Sequence, residues 1–118
     1  MDNLLNLDVA DLVRKAEDMA VQFTRDKLKT NQIRNFYSAI TRMRADFQQS
    51  GFTPEIQTQL VMLKPKLAYA AGRQTAVRAN FYPFMKTAID GVRQAKDLEK
   101  FFLLVESIVA YHKFHGGE

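Results

Sequence analysis

A chain of 118 residues, 47% hydrophobic and 25% charged, has the size and composition of one globular domain, and a single helical domain over 1–118 is the expectation. It contains no cysteine, which excludes disulfides and thiolate metal sites, and no apolar run near the roughly 20 residues of a membrane span. The net charge of +4 is unevenly spread: residues 1–26 hold six acids and three bases, 27–96 twelve bases and three acids, and 97–118 four acids and two bases.

Valine and isoleucine are scattered and no alternating run of useful length occurs, so the fold class is all-α: a compact bundle of about five helices with short connections. The opening MDNLLNLDVADLV is acidic and amphipathic, unlike a signal peptide, and reads as cytoplasmic. The first helix is expected from Val9 to Lys27, capped by Asp8, with Leu12, Ala16, Met19, Ala20 and Phe23 inward. The second is expected from Asn31 to Gln49, capped by Thr30, on a stripe of Ile33, Phe36, Tyr37, Ile40, Met43 and Phe47. Arg34 and Arg42 point away from that stripe, and Arg44 falls at its edge, snorkelling or paired. Ser50-Gly51 ends the helix.

Thr53-Pro54-Glu55 starts the third helix as cap, first-turn proline and first-turn acid. Its stripe of Ile56, Leu60, Leu63, Leu67 and Ala71 keeps phase through Pro65, which predicts a kink or a break into two nearly collinear pieces near Lys64. Gly72 is read as the end of this helix or as a point of close approach, and RQTAVRAN as a connector or an early return to helix. A fourth helix is expected from Pro83 to Ala95 with Phe84, Ala88, Ile89 and Val92 inward, its start stapled by Phe81 and Tyr82. The fifth opens at a capping Asp97 and closes at Gly116-Gly117. Leu98, Phe101, Phe102, Val105, Ile108, Val109 and His112 share one side, and Leu103 and Phe114 the other, which suggests a central helix or one covered by another chain.

Between Ile56 and Ile89 five bases meet no acid. Such a zone attracts a polyanion or an acidic partner. On the third helix Met62, Lys66, Tyr69 and Arg73 share a face away from the leucines, setting two cations and an aromatic ring on successive turns. Cations there can meet phosphates while tyrosine stacks on a base or packs on a partner. The plainer reading is a basic helix end, with Arg73 complementing the helix dipole.

No catalytic constellation accompanies this surface. His112 and His115 are three apart, but no carboxylate or cysteine signature joins them. GxxxxGK[ST], GxGxxG and GxSxG are absent, and Ser38, Ser50 and Ser107 lack a nucleophile context. The chain reads as a non-enzyme without a metal or cofactor.

Three stretches, TNQIRNFYSAITRM (30–43), LVMLKPKLAYAAGRQ (60–74) and FFLLVESIVAYHKFHGG (101–117), together resemble the small subunit of the type III-A CRISPR effector, the Csm complex. The resemblance spans about Lys27 to Gly117, is weaker over 75–96, and does not rest on the first 25 residues. It implies an all-helical subunit without chemistry of its own, several copies of which stack along a ribonucleoprotein. They line the groove that holds guide RNA paired with target RNA, and they contact the backbone and large subunits, which carry the cutting and signalling activities.

On that resemblance Lys64, Lys66 and Arg73 hold backbone phosphates, with Tyr69 beside them and Arg34, Arg42 and Arg78 as further RNA-binding bases. Leu103, Tyr111 and Phe114 are the expected protein interface. Contacts with shape and backbone make binding independent of sequence. Two other readings compete. One is a protein-only helical adaptor whose basic face meets an acidic subunit. The other is a helix-turn-helix around QSGFTPEI, whose following helix offers no base-reading Arg or Asn in its first turn.

Overall fold

The computed structural model describes residues 3–117. Among them are a turn of 3-10 helix at Leu4–Asn6 and five α-helices, with no strand. These are α1 (Val9–Arg25), α2 (Thr30–Ser50), α3 (Pro54–Arg73), α4 (Tyr82–Asp90) and α5 (Ala95–Phe114). A π-helical turn, Val77–Phe81, runs directly into α4.

The carboxylate of Asp8 caps α1 by accepting the Asp11 N–H at 2.8 Å. Leu12, Ala16, Ala20 and Phe23 are buried, and Met19 is half-buried. The helix stops before the expected Lys27. Lys27 takes φ 67°, its N–H bonds to Thr24 O, and the Leu28 N–H bonds to Phe23 O. This pair of bonds is the Schellman ending, here without the usual glycine. α2 begins one residue early. Lys29 occupies the cap position, where its N–H is held by the Gln32 side chain, and the hydroxyl of Thr30 is buried without a partner. Ile33, Ile40 and Met43 form the buried stripe, with Phe36, Tyr37 and Phe47 half-buried beside it. Gly51 closes the helix at φ 79°.

The hydroxyl of Thr53 caps α3, and Ile56, Leu60, Leu63, Leu67 and Ala71 are all buried. The helix is not broken at Lys64: it runs as one element through Pro65. Proline has no N–H to give the carbonyl of Val61, but both residues lie on the exposed side. Gly72 neither ends the helix nor makes a turn. It is helical and exposed, and the helix ends at Arg73 on an extended Gln74. Helix then resumes early, at Thr75.

α4 is shorter than expected, ending at Asp90, and Met85 rather than Phe84 is its fully buried member alongside Ala88 and Ile89. Phe81 is buried edge-on against Phe23 and Phe36, with ring centroids 5.2 and 5.5 Å away. α5 starts two residues before Asp97, which is therefore not its N-cap. The buried Asp97 carboxylate reaches back to accept the Arg93 N–H at 3.0 Å. Gly116, at φ 97°, and Gly117 end the helix by donating to Lys113 O and His112 O.

α1 and α5 lie side by side and parallel. Near their starts the Lys100 ammonium donates to Leu7 O, and at their ends His112 Nε2–H donates to Leu28 O at 2.7 Å. α2 packs on α5 and α3, and α3 packs on α2, α4 and the π-helical turn. One core takes side chains from all five helices. The acidic ends of the chain therefore meet in the α1–α5 pair, and the basic middle forms the α2–α4 layer.

Candidate nucleic-acid interface

α2 and α3 run antiparallel and leave a cleft along their seam. At the end formed by the start of α2, a cavity of about 240 Å³ is bounded by Gln32, Asn35, Phe36, Lys66 and Gln74, among others. Towards the other end the cleft is bounded by Arg42, Thr58, Gln59 and Met62, again with Lys66. Lys66 thus stands midway, serving both parts. Asp46 marks the far limit, where its carboxylate accepts from Gln59 Nε2 at 3.2 Å.

Five of the expected RNA-binding bases, Lys66, Arg42, Arg73, Arg34 and Arg78, are exposed. Lys66 and Arg42 are brought together across the seam. Tyr69, 68% exposed, and Arg73 sit on the adjoining shoulder of α3. The Arg73 guanidinium lies 5.6 Å from the Tyr69 ring centroid, and Nη1 donates to the phenolic oxygen at 3.4 Å. This contact holds a flat cation and a ring as one unit.

Lys64 is separated from this group. Two residues along a helix turn a side chain by about 200°, so Lys64 faces α4 while Lys66 faces α2. Its ammonium pairs with Asp90 at 2.6 Å. Arg34 projects from α2 and does not border the cleft, and Arg78 stands on the π-helical turn. The amides of Gln32, Asn35 and Gln74 on the cleft rim are not anticipated from charge. The available signal is position: Asn35 precedes Arg42 by two helical turns on the same side of α2.

The expected protein-interface residues divide as well. Leu103 is half-buried against the core, and Tyr111 is half-buried beside the His115 ring. Phe114 is 77% exposed. Arg44 is paired, with Glu106 at 3.3 Å, and lies over the Phe102 ring. The two histidines take separate partners: His112 is buried against Leu28 O, and His115 Nε2 is 2.7 Å from Glu17 Oε2. No group of three or more metal-ligating side chains occurs among the described residues.

A family model described as Csm2 Type III-A matches residues 6–118. The chain belongs to the Csm2 family. It is accordingly the small subunit of a type III-A CRISPR effector complex. The match includes α1 and 75–96, where the motif resemblance is absent or weak, so the whole bundle carries the family pattern. No curated protein and no solved structure matches the chain. Within this Csm2-family fold, the VAYHKFHGG motif has a structural role: it ties the end of α5 to the end of α1 through His112. No described helix is long and apolar enough to cross a membrane.

Proposed function

We propose that the α2–α3 face lines the groove holding guide RNA and target RNA, by phosphate contacts that ignore sequence. The observation that carries this reading is the convergence of Lys66 and Arg42 on one open cleft, with the Tyr69–Arg73 unit on its shoulder. All four side chains are exposed, and the α3 stretch that supplies three of them belongs to a run of 34 residues without an acid, 56–89. Exposed cations on rigid helices suit an A-form backbone, whose phosphates recur at fixed spacing whatever the bases. Arg34 and Arg78 extend the basic surface outward, and Lys64 exchanges Asp90 for phosphate only at the expense of an ion pair. Phe114, exposed at the end of α5, offers an apolar contact for a neighbouring copy or for the backbone or large subunit.

The test is reconstitution of the complex with Lys66 and Arg73 both replaced by alanine. RNA retention falls about tenfold through loss of two phosphate contacts, while the melting temperature of the isolated subunit stays unchanged. An early melt would make these residues structural. Unchanged RNA retention with loss of an acidic partner subunit would support the adaptor reading instead.

A further inference from the structure

The cavity at the Gln32 end of the α2–α3 seam has a chemistry that phosphate contacts do not use. Its floor is apolar, formed by Phe36, Leu63, Leu67, Val77 and Phe81. Its rim carries the amides of Gln32, Asn35 and Gln74 together with the Lys66 ammonium, and no carboxylate borders it. At about 240 Å³ it is below the roughly 300–1,000 Å³ of pockets for drug-sized ligands. It suits a single flat ring system.

We propose that this cavity receives one unstacked nucleobase of the RNA held along the seam. The inference rests on the RNA-lining reading above. An apolar floor with a half-buried aromatic edge takes the base, and amides on the rim offer both donors and acceptors to its polar edge. Lys66 on the rim and Arg42 further along the seam are placed to hold the flanking phosphates. The charge is complementary to a polyanion: the rim presents a cation and no acid. The Gln32 amide already accepts the Lys29 N–H, and an apolar side chain of a partner protein would fill the floor but offer no polar partner to the Asn35 and Gln74 amides or to the ammonium. A base stacked in a continuous duplex cannot reach the floor, so the cavity selects for unpaired or bulged nucleotides.

The experiment uses the full chain and an RNA duplex with a single-nucleotide bulge, either a fluorescent purine analogue or an abasic residue. The intact bulge binds about tenfold tighter than the abasic one, the order of one base-stacking contact, and the analogue's fluorescence changes on binding. Ala70→Phe, which fills the cavity from α3, removes that difference and leaves abasic affinity within about twofold, since phosphate contacts remain. Asn35→Ala reduces the difference without abolishing it. Equal affinity of the wild-type chain for intact and abasic bulges overturns the inference while leaving the RNA-lining reading standing, and needs no variant to fold. An Ala70→Phe chain that keeps the difference but loses a partner subunit assigns the cavity to protein and also overturns it. Absence of RNA binding by the wild-type chain sinks the RNA-lining reading and this inference with it.

Discussion

Lys27 is the one described non-glycine residue with positive φ, at 67°. A side chain there costs about 1 kcal/mol that glycine avoids. Lys27→Gly should therefore raise stability by up to about 0.5 kcal/mol, after the added unfolded-state freedom of glycine is subtracted. Urea titration reads this directly, and a loss of stability would contradict it. The sequence reading places this helix end two residues late because no glycine marks it. The opposite holds at Gly116-Gly117, where the glycines announce the stop, but the tight requirement falls on the second. A Cβ on Gly117 would press into the His112 ring and lie 2.7 Å from the His112 carbonyl oxygen. Gly117→Ala should cost about 1–3 kcal/mol through overpacking, and His112→Ala about 2–4 kcal/mol through a cavity and an unpaired Leu28 carbonyl. Thermal melts of both variants check this. That His112 is a strut between two helix ends could not be read from spacing, because its partner lies 84 residues away.

Helix periodicity made the five elements and their buried stripes legible, most completely in α3, where all five inward positions are buried. Element ends were harder, since α4 and α5 are bounded by local bonds such as Arg93 N–H to Asp97 rather than by a change in hydrophobic pattern. Pro65 tests the balance between local and tertiary forces. The leucine stripe on either side is buried strongly enough to carry the helix across it. Pro65→Ala restores one backbone bond to Val61 and should stabilise the chain by about 1–2 kcal/mol. Denaturant midpoints measure this, and destabilisation would mean that the bundle depends on the proline's geometry. The same helix explains why the basic motif divides. Lys64 and Lys66 read as one cluster along the chain but point to opposite neighbours, α4 and α2, across the helix axis.

At the scale of the molecule, charge follows topology. The acidic terminal helices pair with each other and the basic middle layer is left to face outward. The bias was visible in the sequence, but the cleft was not, because it depends on the antiparallel seam of α2 and α3 and on amides that carry no charge. The central claim is that this layer holds RNA through its phosphates. Fluorescence anisotropy with two unrelated RNAs, each at two salt concentrations, tests it most directly. Equal affinities for the two sequences are expected. The salt slope should be about 0.7–0.9 per phosphate contacted, falling by about 1.5 when Lys66 and Arg73 are both alanine. Binding that is insensitive to salt, or unchanged in slope by the double substitution, would contradict the account.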